Sequence, residues 1–407
     1  MKHEHNTSPI WIGIAISFYA FIAIGIAEAG LGVLLPSILS TYQLTPATVT
    51  FLFISQISGY ILAAFSSSVV SSRLGLARML FIAASTLTTA LLIYALSPYW
   101  FIMVAAGTLL GLGIGLIDAG INTYIVQDSR SANLIGLLHA FYGIGALLGP
   151  AVATTLLALG MDWRQVYFVL AGVVSLLIAG VLGVIICRYR PMTSRVTASS
   201  TTALGNLRRS LKTPAVLVTG LLLLVYVGTE ASIGNWAYSV QSIARKTPEL
   251  IAGYSVSAYW LGLTVGRFSL GYFLQRLGAI RTISLSLTLL MIGLVAWWLL
   301  PDQWLSLPLI GFALAAIFPA TIWLIPKRVP DALVPAAVGF ATSTASFGAA
   351  IMPTGLGWFA SWAGLEVIPM LMLPLAIVMV ALHRWLVQHP VFKNEPIEPE
   401  VVRRNRT

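Results

Sequence analysis

Apolar runs of about 20 residues recur along the whole chain, each long enough to cross a bilayer core of about 30 Å, and very little charge interrupts them. Few folds accommodate such a pattern. Only 9% of the residues are Asp, Glu, Lys or Arg, against roughly 25% in a soluble domain, too few to build a water-facing surface. Inside lipid each backbone polar group needs a partner within the protein, which restricts spanning segments to helices or closed barrels. Runs of this length read as helices. The spacing predicts them over roughly 10–39, 48–70, 78–97, 100–126, 134–158, 165–187, 214–241, 250–273, 281–300, 305–325, 336–361 and 367–387, with Gly and Pro clusters between them. The first run exceeds the apolar core of a cleaved signal peptide and is expected to stay as the first helix.

A net charge of +10 would suggest a nucleic-acid partner in a soluble protein. Here the basic residues occupy short loops and tails. With the N-terminus placed inside, 19 of the 23 Lys and Arg face that side and 3 face the other. This is the positive-inside pattern. It predicts a multi-pass protein of the cell (inner) membrane with both termini cytoplasmic and no nucleic-acid partner. Segment 188–213 is the only long internal polar stretch. It reads as a cytoplasmic linker, with a short surface helix around 204–211 and basic charge that suits anionic lipid head groups. One cysteine, Cys187, excludes an internal disulfide.

The two sides of the linker repeat each other. Arg73-Leu74-Gly75-x-x-Arg78 recurs as Arg276-Leu277-Gly278-x-x-Arg281 at an offset of 203. Gly145-Ala146 with Pro150 in the fifth segment is matched by Gly348-Ala349 with Pro353 in the eleventh. Glu28-Ala29-x-x-Gly32 matches Glu230-Ala231-x-x-Gly234 at an offset of 202. The expected fold is therefore all-α, with about twelve transmembrane helices in two pseudo-symmetric six-helix bundles. They span 1–187 and 214–390, joined by the linker 188–213 and followed by a cytoplasmic tail, 391–407. Parallel repeats of this kind belong to carriers in which one half rocks against the other. In the paired turns, Gly permits a tight reversal, and Arg73, Arg78, Arg276 and Arg281 can meet helix C-terminal carbonyls or carboxylates. They are candidates for a conformational latch between the halves.

Three carboxylates fall inside predicted spans: Glu28, Asp118 and Glu230. Each costs at least ~2.5–3.5 kcal/mol to insert, so such acids usually face a cavity or a partner. Asp118 and Asn122 are four residues apart and share a helix face, beside a stripe of Gly111, Gly115 and Ala119 that permits close packing. Asp118 reads as a proton carrier, with Glu28 as a second proton-coupling acid. Glu230 occupies the place equivalent to Glu28 and could contact substrate or brace the central interface. The same segment continues with Asn235, Trp236 and Tyr238; the eighth holds Tyr259 and Trp260, the tenth Trp323, and the second Gln56 and Tyr60. Aromatic faces with amide donors suit a polar, uncharged ring such as a sugar. Since Asp118 has no repeat counterpart, the N-terminal half is expected to carry the proton and the C-terminal half most of the ring-binding surface. His139, close to a cytoplasmic loop, reads as structural. Arg267 reads as snorkelling or paired with a carbonyl. No phosphate loop, HExxH or Cys/His cluster is present, so enzymatic activity, a metal and a cofactor are not expected.

These residues resemble the major facilitator superfamily over nearly the whole chain, and its fucose/glucose:proton symporter-like branch in particular. Tyr226-Val227-Gly228-Thr229-Glu230 with Gly234-x-Trp236 is similar to that branch's seventh helix. Leu138-His139 with Gly143-x-Gly145-Ala146 and Gly149-Pro150 resembles its fifth, and Trp260, Gly262, Thr264 and Gly266-Arg267 its eighth. Phe318-Pro319 resembles its tenth. The resemblance implies an acid of the fourth helix, here Asp118, as the protonation or sugar-linked site. Fucose carriers also use an acid in the first helix one turn before a Pro; Gly32 holds that register, and Glu28 lies one turn earlier. The expected function is a monomeric secondary transporter of a small polar solute, a sugar, working by alternating access with protons as the coupling ion. Uncoupled facilitated transport stays open, and a proton-driven exporter of drugs or metabolites is the alternative. Gly145-x-x-x-Gly149-Pro150 resembles part of an antiporter motif, although Ala153 and Thr154 fill its trailing glycines.

Overall fold

The computed structural model describes residues 11–126, 131–193, 208–300, 305–330 and 333–389. Lys2, Arg130, most of the 188–213 linker and the tail lie outside them. Eleven helical stretches are long and apolar enough to cross a membrane. One of them, Glu249–Leu299, has 51 residues. At 1.5 Å per residue it is about 75 Å long, more than twice a bilayer core. It breaks at Gly278, where φ is 73° and ψ 162°. The described residues thus make twelve crossings: α1 Trp11–Tyr42, α2 Pro46–Leu74, α3 Leu76–Leu96, α4 Trp100–Val126, α5 Ser131–Ala158 and α6 Trp163–Ile186, then α7 Pro214–Ser239, α8 (249–277), α9 (279–299), α10 Ser306–Lys327, α11 Val334–Ala363 and α12 Ile368–Gln388.

Local chemistry explains the departures from the predicted bounds. The first helix runs to Tyr42 because Gln43 supplies the left-handed cap, with φ 53°. α10 breaks between Leu314 and Ile317. Pro319 follows the break; it has no N–H for the carbonyl of Ala315, and its ring crowds that carbonyl. α7 ends in a π-helical turn, Val240–Ala244.

The halves are built alike. In the first, α1 packs on α5, α2 on α4 and α3 on α6; in the second, α7 packs on α11, α8 on α10 and α9 on α12. Glycines make four of these contacts, α1 on α5, α2 on α4, α7 on α11 and α8 on α10. A β-carbon at Gly111 of α4 would overlap the Gln56 carbonyl of α2, and one at Gly311 of α10 would overlap the Tyr259 carbonyl of α8. Gln56 and Tyr259 are 203 residues apart, so the sequence repeat is a repeat of helix–helix contacts. Gly75 repeats Gly278, with φ 83° and ψ 159°, a backbone conformation open to glycine and strained for other residues.

The halves meet through α1 and α7, α2 and α11, and α5 and α8. One end of the bundle is shut. Gly32 lies against the Gly234 carbonyl and Gly253 against the Thr154 side chain. The Ala47 N–H donates to Ser361 Oγ at 2.6 Å, and Thr155 Oγ1 lies 2.9 Å from Tyr254 Oη. Among the described residues, these two hydrogen bonds are the ones that join the halves, and both lie opposite the Gly75 and Gly278 turns. Towards the turns a cavity lies between the halves, lined by residues of both.

Candidate functional site

The cavity has a volume of about 260 Å³, with a second lobe of about 80 Å³ reaching towards the shut end. All three intramembrane acids are found at it. Asp118 and Glu28 line it, and Glu230 is paired with Arg267, which also lines it. Each acid has a distinct partner set.

Asp118 is held within the N-terminal half. The Tyr60 hydroxyl of α2 donates to Oδ2 at 2.5 Å, and Asn122 Nδ2 donates to Oδ1 at 2.8 Å. The four-residue spacing brings Asn122 onto the carboxylate, and the glycine contacts of α4 bring α2 close enough for Tyr60 to reach it. Glu28 is exposed to the cavity, and its Oε2 accepts from the Tyr142 hydroxyl of α5 at 3.0 Å. Glu230 lies in the other half. Arg267 Nη2 is 3.5 Å from its Oε1, and the Tyr259 hydroxyl donates to its backbone carbonyl at 3.1 Å.

Arg267 therefore differs from its sequence reading: it meets a carboxylate rather than snorkelling or pairing with a carbonyl. His139 also differs, since it stands exposed on the cavity wall with Phe21 edge-on at 5.9 Å. Two signals in the sequence pointed this way. An intramembrane acid requires a counter-charge, and Arg267 is the basic residue left inside a predicted span. Tyr142, three residues after His139, shares its helix face.

The expected ring-binding aromatics mostly do not reach the cavity. Trp236 is fully buried; its indole N–H donates to the Pro353 carbonyl at 3.0 Å and its ring packs on Phe53 at the shut end. Tyr238 and Tyr259 are buried in helix packing. Trp260 is 5% exposed, edge-on to Tyr142. Trp323 is corrected outright. It is 51% exposed on the outer face of α10, beneath the Lys327 ammonium at 4.3 Å. Trp323→Ala is accordingly expected to change the solute uptake rate by less than about twofold, as outward substitutions generally do; a larger loss in liposomes would place it in the machinery. Asn235 and Gln56 line the second lobe, and Gln56 Nε2 donates to Tyr94 Oη at 3.3 Å. The rings at the cavity are Phe21, Phe53, Tyr60 and Tyr142, all from the N-terminal half, whereas most of the ring-binding surface was expected from the C-terminal half.

Arg73, Arg78, Arg276 and Arg281 are exposed at the turns. Arg276 lies over the Tyr272 ring at 5.5 Å. Among the described residues the Arg267–Glu230 pair is the ion pair within 4.0 Å, so none of these four has a carboxylate partner there.

A membrane-spanning bundle of two repeats around a cavity with charged groups in a largely apolar wall, shut at one end, is the architecture of a small-solute carrier. The profile of the Major Facilitator Superfamily matches residues 14–310 and 237–405, and the chain belongs to that superfamily. It is a secondary transporter, not an enzyme. Among characterised proteins it is similar to the glucose/mannose transporter GlcP of Bacillus subtilis, 24% identical over 349 residues that cover 83% of this chain and 85% of that one. It is also similar to Bypass of stop codon protein 6 of Saccharomyces cerevisiae, 24% identical over 385 residues covering 86% of this chain and 77% of that one. The fold matches a mutant of the nucleoside transporter NupG with a TM-score of 0.74 at 15% identity, covering 94% of this chain and all of that one.

Proposed function

We propose that this carrier moves a sugar by alternating access, coupled to protons through Asp118 and Glu28. The observation that carries the coupling is the pairing of Asp118 with Tyr60. A phenol both donates and accepts. With Asp118 ionised, Tyr60 donates to it. With Asp118 protonated, the acid O–H donates to Tyr60 Oη while Oδ1 still accepts from Asn122. Both carboxyl oxygens keep a partner in either state, and when the acid donates to it the Tyr60 O–H turns to the cavity that Tyr60 lines, so a proton can come and go without unpairing the carboxyl group. The sugar is supported by the cavity's mix of apolar wall and hydrogen-bonding groups, among them Gln56, Asn235 and Tyr142, and by the likeness to a glucose/mannose transporter.

In this reading the turn end faces the cytoplasm, with both termini, in the cell membrane. The halves 1–187 and 214–390 rock as units in a monomer, joined by 188–213. Closing the turn end would bring the arginine turns together as a latch. Purified protein in liposomes with an imposed pH gradient tests the proposal. D-glucose or D-mannose should accumulate above equilibrium, and a protonophore should abolish the accumulation. Failure of both sugars to accumulate would overturn it, and proton efflux driven by amphiphilic drugs would favour an exporter. Tyr60→Phe is expected to lower the proton-driven rate about tenfold or more, since losing the partner of a buried carboxylate costs about 1–3 kcal/mol; a rate equal to wild type would remove Tyr60 from the coupling.

A further inference from the structure

Glu28 and Glu230 are equivalent positions of the repeat, but Arg267 has no equivalent. The residue 203 positions before it is Ala64. Two related carboxylates, one in each half, therefore stand by a single guanidinium: Glu28 lines the cavity with Arg267, and Glu230 is paired with Arg267. The guanidinium is incompletely used. Its Nη2 stands 3.5 Å from Glu230 Oε1, longer than the roughly 2.7–2.9 Å of a close charge-assisted pair, and its Nη1 is buried without a hydrogen-bond partner. Glu28 lines the same cavity and accepts one hydrogen bond, from Tyr142. Tyr142 packs on Trp260, two turns from Arg267 on α8, which keeps α5 and the Arg267 face of α8 in contact across the two halves.

We propose that Arg267 is a positioning residue shared between Glu230 and Glu28: it holds Glu230 while the cavity is open to the turn end and passes to Glu28 as that end closes. A proton on Glu28, taken from the water of the open cavity, removes the second carboxylate and leaves the guanidinium on Glu230. Loss of that proton makes Glu28 a competitor for it. The inference rests on the proton-coupled reading above.

Other titratable groups surround the pair. Facing Arg267 are Tyr226 from α7, Tyr259 from α8, and His139 and Tyr142 from α5; Asp118 from α4 and Tyr60 from α2 face Glu28. Phenols ordinarily ionise near pH 10, so between pH 5 and 8 the histidine and Asp118 are the groups to separate from Glu28.

The test needs no solute. In full-length protein carrying Cys187→Ser, spin labels at cysteines replacing Leu74 and Leu277, both exposed at the turn end, report the distance between the halves. Wild type should move towards the open population as pH falls from 8 to 5, with the open-to-closed ratio changing about tenfold, a usual size for coupling between sites. Glu230→Gln should favour the closed population and Glu28→Gln the open one, in opposite directions. A merely structural loss would not produce that split. Arg267→Gln should abolish the pH response and Arg267→Lys restore part of it, while His139→Gln and Asp118→Asn keep it. If wild type responds and Arg267→Gln responds equally, or if the two Glu variants shift the same way, this inference falls and proton coupling stands. If wild type does not respond at all, both fall.

Discussion

Asp118→Asn is expected to bring proton-driven accumulation of D-glucose to its equilibrium value while exchange of labelled for unlabelled sugar continues. The amide has the shape of the acid. Its oxygen can go on accepting from Asn122, and its NH₂ can donate to Tyr60 Oη, because that hydroxyl can reverse its role. The hydrogen bonds Asp118 makes at 2.5 and 2.8 Å thus keep their frame, and what is lost is a group that takes up and releases a proton. Asp118→Ala should do more damage. It strands a phenol and an amide beside the cavity, at about 1–3 kcal/mol each, and exchange should fall with accumulation. The split between the two variants is the measurement, made in liposomes with and without a pH gradient. Accumulation by Asp118→Asn at the wild-type level would assign coupling elsewhere.

Gly111→Leu is expected to prevent the N-terminal half from packing. Any β-carbon there overlaps the Gln56 carbonyl, and Gly311→Leu meets the Tyr259 carbonyl in the same way. Rotamer changes in a neighbour cannot relieve a clash with backbone, so α2 and α4, or α8 and α10, must separate. The cost is about 3 kcal/mol or more, at the upper end of overpacking. In the first case separation also withdraws Tyr60 from Asp118. Thermal unfolding and size-exclusion behaviour of purified protein read the effect. Gly172→Leu is the control: a β-carbon there meets nothing within 4 Å, and it should behave as wild type. Equal stability of Gly111→Leu and Gly172→Leu would remove the glycine contacts as the basis of the repeat.

Much of this was legible before any coordinates. A span is set by the thickness of a bilayer and the cost of leaving backbone unpaired, and both act on the local chain. The repeat was legible for a related reason. Gly75 and Gly278 answer the same turn, Gly111 and Gly311 the same close crossing, and each demand falls on one residue type, at offsets of 203 and 200 residues. Glu28, Asp118 and Glu230 stood out because an acid in a span is costly wherever it points. The face of a helix that an aromatic occupies was not legible. In lipid an apolar residue is tolerated on all sides, so α7 carries no amphipathic stripe by which to orient Trp236 or Tyr238. Trp236 turned out to pack on Phe53 and Trp323 to face outwards.

The sequence by itself determined how many times this chain crosses a membrane, that its halves are related, and which acids it places between them, since each follows from the chemistry of single residues or from one offset. Tertiary structure alone decided the partners: Tyr60 on Asp118, Tyr142 on Glu28, Arg267 on Glu230, and Gly32 against Gly234 at the shut end. These pairs join residues that are distant in the chain, and their distances depend on how far each helix is rotated and how closely its neighbour approaches, quantities fixed only when all the helices pack together.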